Sequence, residues 1–181
     1  MNEDENVVDP SHPRYQSLMI RKKIADAGAK GMLADSAMIA HGRGEAFDYL
    51  LGEQTIQSAQ DATREVAARL VRARKPILSL NGNAIALAGA EFLTVASQLN
   101  CPIEINIFYR TPERMGALLG NLKMLNTKLG HDVEILGGGV DLQANICFSS
   151  SALRCERAII IFSYSCFSTI IFICYKVHIS I

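Results

Sequence analysis

The chain has 181 residues and no net formal charge, with 49% hydrophobic and 20% charged side chains, a balance that suits one domain with a substantial core. A neutral chain has no whole-molecule field to recruit nucleic acid or an acidic membrane surface, so any anion binding must be local. Residues 1–9 are polar and acidic without an apolar core, which fits a disordered start rather than a secretory signal or an Arg-rich transit peptide and leads us to expect a cytoplasmic protein.

Pro10 to Pro13 is a turn-rich entry, and a helix is expected from Arg14, with Tyr15, Leu18 and Met19 as its apolar stripe. Arg14 and Arg21 would project from one side of it as two cations. Ala25 to Gly31 is small and glycine-punctuated, and Leu33 to Ile39 reads as a short helical or irregular piece.

The stretch Ile39-Ala-His-Gly-Arg-Gly-Glu-Ala-Phe-Asp-Tyr-Leu-Leu-Gly-Glu53 is the most informative. His41-Gly42-Arg43-Gly44 sets an imidazole and a permanent cation among glycines, which permit a sharp bend and close approach to a ligand. Phe47, Leu50 and Leu51 then suggest a short helix that Gly52 stops in the left-handed conformation. A helix opening after such a bend would aim free N–H groups and the Arg43 guanidinium at a phosphate or carboxylate. A Gly-Arg-Gly turn is more often only a turn.

Ser58 and Asp61 resemble a capping box, and Ala59, Ala62, Val66 and Leu70 predict a helix from Ser58 to Arg74 that Pro76 ends. Ile77 to Leu80 reads as a buried strand closing in the polar turn Asn81-Gly82-Asn83. A helix with Phe92, Val95, Ala96 and Leu99 on one face follows, then a strand over Ile103 to Phe108. Thr111-Pro112-Glu113 is ordered as N-cap, first helical residue and acidic first turn, and Leu118, Leu122, Leu125 and Leu129 carry that helix to Gly130. Val133 to Leu136 is a third short strand before Gly137.

Strands alternating with long helices predict an α/β fold: a Rossmann-like parallel sheet with helices on both faces. Ligands in such sheets sit beyond the carboxyl ends of the strands. Asn81, Asn83, Asn106 and Arg110 leave those ends and are candidate binding residues, although Asn is also favoured in turns for its backbone tolerance. The five cysteines, Cys101, Cys147, Cys155, Cys166 and Cys174, show neither zinc-ligand spacing nor a disulfide framework.

On His12-Pro13-Arg14-Tyr15, the run from Ile39 to Glu53, Asn81-Gly82-Asn83 and Asn106-Ile107-Phe108 with Arg110, residues 10–136 resemble the archaeal phosphopantothenate synthetase (4-phosphopantoate–β-alanine ligase) family. The resemblance implies an ATP-dependent ligase of coenzyme A biosynthesis, a homodimer with a Rossmann-like core. Such a ligase joins 4-phosphopantoate to β-alanine through an acyl adenylate and releases AMP and pyrophosphate. It implies ATP contacts at Arg21 and Arg43, with Mg²⁺ accompanying the nucleotide. Asn81, Asn83 and Arg110 fall in matching motifs as candidate substrate contacts, and His41 as candidate general base or phosphate partner, with Asp48 as a further candidate base.

The resemblance fades near Gly137 to Ile146, and the acidic, Asp-Leu-Asn-Pro, Arg-Thr and Asp-Asn segments that complete the family's ATP site have no counterpart. The expected organisation is therefore an incomplete, C-terminally truncated ligase domain over 10–146 and an aberrant apolar tail over 147–181. That tail, rich in Ile, Phe, Ser, Cys and Tyr without Gly or Pro, reads as out-of-frame or non-coding translation, leaving the ligase impaired. Its uncharged run from Ala158 to Tyr175 just reaches the length of a membrane-spanning helix, yet its β-branched residues read equally as β-sequence, so membrane association is not expected. A non-catalytic nucleotide- or phosphate-binding module, tethered by that tail, is the alternative.

Overall fold

A computed structural model of the chain describes residues 9–107, 109–137, 158–165 and 168–174. Three helices, α1 (Tyr15–Ala29), α2 (Asp35–Leu50) and α3 (Gln57–Arg72), precede the first strand. The order then alternates: β1 (Pro76–Leu80), α4 (Gly82–Leu99), β2 (Ile103–Ile105), α5 (Pro112–Leu129) and β3 (Ile135–Leu136). Two further strands, β4 (Ala158–Ser165) and β5 (Ser168–Cys174), complete a sheet of order β3-β2-β1-β4-β5.

The pairings β1–β2, β2–β3 and β1–β4 are parallel, and β5 runs antiparallel to β4. The class is thus α/β and Rossmann-like, as the alternation predicts. Ile77, Leu78, Ser79 and Leu80 are all fully buried, and successive strand side chains point to opposite faces, so both faces of the sheet are covered at β1. Register places Leu78 and Leu80 beside Ile103 and Ile105, and these four pack with Ile85 and Leu93 of α4 and Leu118 and Leu122 of α5. The opposite face carries Ser79 beside Glu104.

Helix ends follow local chemistry where a short side chain can reach a backbone N–H. Asn81 Oδ1 accepts from Ala84 N at 2.8 Å, and Thr111 Oγ1 accepts from Arg114 N at 3.2 Å, with Pro112 opening α5 as its sequence requires. The left-handed residues Asn100 and Gly130 close α4 and α5.

Three expectations are corrected. His41-Gly42-Arg43-Gly44 is not a bend: α2 runs through it, and the left-handed glycine is Gly52, at φ 76°. Two mid-helix glycines cost about 1 kcal/mol each relative to Ala, which the good helix formers on either side offset. Ser58 does not cap α3, whose N-cap is Ile56; Asp61 instead accepts from Gln57 Nε2 at 2.9 Å. Of the expected apolar face of α4, Ala96 is buried and Phe92 and Leu99 pack against the core beside Ile85, Gly89 and Leu93, whereas Val95 is 37% exposed. At Gly89 an added Cβ would sit 3.4 Å from Leu125 Cδ1, so α4 and α5 approach closely there, next to the non-helical Ala88 (φ −139°).

The β-sequence reading of the apolar tail agrees with the strands found there. Residues 158–165 and 168–174 form strands of the central sheet, with β4 in register on β1 from Pro76↔Ala158 to Leu80↔Phe162. The run from Ala158 to Tyr175 is therefore not one continuous helix, and among the described residues no helix is long and apolar enough to cross a membrane. Phe108, the expected end of the second strand, lies outside the described residues, and that strand stops at Ile105.

Candidate active site at the strand ends

Beyond the carboxyl ends of β1 and β2 lies an open cleft of about 290 Å³, walled by Asn81, Gly82, Asn83, Asn106 and Arg114 and, from α2, Ser36. Leu33, Ala37 and Ala40 supply apolar surface on the same side. Two of the predicted substrate residues, Asn81 and Asn83, are thus brought together, joined by Asn106, which leaves β2 as the strand-end rule predicts.

The first turn of α4 opens on this cleft. Asn81 caps Ala84 N, and Asn81 O accepts from Ile85 N, but as first-turn groups the N–H of Gly82 and of Asn83 have no intrahelical acceptor. Together with the helix dipole they favour an anion. A Cβ at Gly82 would lie 2.8 Å from Leu33 Cδ2, so a larger residue there would shift that side chain in the wall. The anion-ready helix start anticipated after Gly44 is therefore supplied by α4, because the N–H groups around Gly44 are used inside α2.

Arg114, in the first turn of α5, is the cation of the cleft. Its Nη1 donates to Tyr109 O, which pins the guanidinium, while Nε is buried with no hydrogen-bond partner among the described residues. Sequence reasoning chose Arg110 instead. Arg110 Nη2 donates to Ile105 O at 3.4 Å, so its head is turned to the end of β2, and it does not line the cleft. The signal for Arg114 was its position three residues after the cap Thr111, at the start of the helix that follows β2.

The other candidates lie outside the cleft lining. Arg21 on α1 and Arg43 on α2 are exposed, on two helices that pack against each other. Arg43 sits seven residues after Ser36 and so projects from the same side of α2 two turns further on. His41 is fully buried, one turn beyond Ala37 of the cleft wall. The side chain of Asp48 lies outside the described residues.

A mostly parallel α/β sheet with an amide-rich cleft beyond the carboxyl ends of its strands defines a Rossmann-like α/β protein. The family model for phosphopantothenate/pantothenate synthetases matches residues 58–156, more than half of the chain, and the chain belongs to that family. It is 47% identical over 130 residues to a 4-phosphopantoate–β-alanine ligase of Thermococcus onnurineus (strain NA1), a match covering 72% of this chain and 48% of the relative. A protein of the same name from Thermococcus kodakarensis matches at 47% over 130 residues, again 72% and 48% of the two chains. One from Methanospirillum hungatei matches at 45% over 117 residues, 65% and 48%. The chain thus spans about half the length of the curated relatives it matches.

Proposed function

We propose that this chain carries the phosphopantoate-binding half of an ATP-dependent acid–amine ligase. It would condense 4-phosphopantoate with β-alanine to 4′-phosphopantothenate in coenzyme A biosynthesis, in the cytoplasm. The observation that carries this reading is the cleft itself: two first-turn N–H groups, three asparagines and Arg114 around about 290 Å³. That volume lies near the lower end of small-molecule sites, about 300 Å³, so it suits a phosphorylated hydroxy acid rather than a whole nucleoside triphosphate.

In this reading the α4 N-terminus and Arg114 hold the phosphate of 4-phosphopantoate, Asn81 and Asn83 orient the acid, and Arg110 stiffens the end of β2. The substrate carboxylate attacks the α-phosphorus of ATP: a new O–P bond forms, the α–β bridge breaks, and pyrophosphate leaves with the electron pair. Charge gathers on the phosphoryl oxygens and the pyrophosphate, and the exposed guanidiniums of Arg21 and Arg43 meet it outside the cleft. The amine of β-alanine then attacks the acyl carbon, forming the C–N bond and expelling AMP. The amine proton passes to a base, and His41, one turn beyond the cleft wall, is our candidate.

The lining donors are amides and a guanidinium, and among the described residues no group of three His, Cys, Asp or Glu could hold a metal ion. The cleft lining therefore offers no carboxylate to a protein-held Mg²⁺. A homodimer would use the exposed apolar side chains of α2, Ile39, Tyr49 and Leu50.

We further propose that this chain, matching about half the length of its relatives, turns over more slowly than they do. The half-length match to its relatives also favours a second reading, a module that binds the ligands without forming an adenylate. AMP release that requires both 4-phosphopantoate and β-alanine, at a rate well below that of a full-length relative, is the expected result. Turnover equal to the relative's removes the claim of impairment, and ligand binding without any pyrophosphate release selects the second reading.

A further inference from the structure

Ser79 and Glu104 are register partners on the sheet face opposite the apolar core, and both are essentially inaccessible to solvent. Ser79 Oγ donates to Glu104 Oε2 at 3.0 Å and accepts from Asn106 Nδ2 at 3.0 Å. Glu104 Oε1 is buried and has no hydrogen-bond partner among the described residues. A central parallel strand ordinarily carries Val or Ile, and a carboxyl group with one oxygen unmet is costly there. Stability alone gives no reason for Glu at this position.

Hydrogen-bond direction supplies one. A serine hydroxyl has a single hydrogen, and here Glu104 takes it. Ser79 Oγ can then only accept from Asn106, so the amide must turn its nitrogen inward and its oxygen the other way. Asn106 is a wall of the cleft. We infer that Glu104 is a positioning residue that acts through Ser79 to lock the amide of Asn106 in one of its two orientations. The orientation so fixed sets which end of the Asn106 amide faces that part of the cleft wall. If Glu104 were apolar, the Ser79 hydrogen would be released and could serve the amide oxygen, and the two orientations would compete. The ligand side of this inference rests on the cleft being the 4-phosphopantoate site; the amide orientation does not.

The test uses the full chain with Glu104→Leu, Glu104→Gln and Ser79→Ala. Hydrogen exchange of the Asn106 side-chain amide, followed by NMR without ligand, is expected to be slow in the parent and at least about tenfold faster in Glu104→Leu and Ser79→Ala, the scale of one lost buried hydrogen bond. Glu104→Gln, whose side-chain oxygen still accepts from Ser79, should retain the slow exchange. Calorimetric titration with 4-phosphopantoate should follow the same order, about tenfold weaker in the first two and near-parental in the third. Replacing a buried carboxyl by Leu is frequently neutral or stabilising, so a purely structural Glu104 would leave both readouts at parental values, and that result overturns the proposal. Should Glu104→Leu fail to fold, Glu104→Met carries the same comparison. If the parent binds no 4-phosphopantoate, the functional reading fails, while the exchange rates still decide the relay.

Discussion

Arg14 Nε lies 3.1 Å from Glu53 Oε1, tying the residue before α1 to the chain just past α2, with the guanidinium 4.4 Å from the centre of the Tyr49 ring. Ser17 Oγ donates to the same carboxylate oxygen at 3.0 Å. The pair is about a quarter exposed, so it is worth more than a surface ion pair, and it gives Glu53 a reason to hold its unusual φ of 52°. Glu53→Ala should lower stability by about 1–2 kcal/mol in urea denaturation. An unchanged midpoint would show that the two ends of this helical pair are held by packing alone.

Asn81 and Thr111 perform the same capping task at the starts of α4 and α5. Asn81→Ala and Thr111→Ala should each cost about 1 kcal/mol of stability. Only the first lies in the cleft wall, so calorimetry should find 4-phosphopantoate binding weakened in Asn81→Ala and retained in Thr111→Ala. Equal losses in both would mean that binding tracks stability rather than the cleft.

Gly42 sits inside α2 with open space around the place a Cβ would occupy. Gly42→Ala should therefore raise stability by about 0.5–1 kcal/mol. If the glycine is kept so that ATP can approach beside Arg43, the same variant should bind ATP more weakly. A stabilised protein with unchanged ATP affinity would remove the nucleotide role from this segment.

Burial pushes the Cys101 thiol up from 9.0 to about 11. Its folded-state pKa is above the unfolded one, so its contribution is fully present below pH 9.0 and is lost as pH rises towards about 11. Two pKa units correspond to about 3 kcal/mol at most. Cys101→Ala should flatten the fall in stability across that window, measured by denaturation at several pH values. Alkylation of the native thiol at neutral pH should be slow, and rapid labelling would contradict the burial.

The sheet was legible because its strands obey simple rules: Ile77 to Leu80 is apolar between Pro76 and Asn81, and Thr111-Pro112-Glu113 spells a helix start that the structure repeats residue by residue. The strand-end rule points to Asn81 and Asn83, and both line the cleft. His41 to Gly44 misled because glycine permits a bend without requiring one, and the flanking residues favoured helix over loop. Arg114 was missed in favour of Arg110 because two arginines one turn apart cannot be ranked until the Ile105 carbonyl is seen to hold one of them. The Ser79–Glu104 pair was invisible because register, not sequence distance, sets it side by side.

The central claim is that the cleft beyond β1 and β2 receives the phosphate of 4-phosphopantoate while the nucleotide lies outside it. Titration of Arg114→Met in the full chain tests this most directly, with 4-phosphopantoate and ATP added separately. Loss of a charge-assisted hydrogen bond predicts about 10- to 100-fold weaker 4-phosphopantoate binding, with ATP affinity unchanged. Parental affinity for 4-phosphopantoate in Arg114→Met, or a loss confined to ATP, would contradict the account.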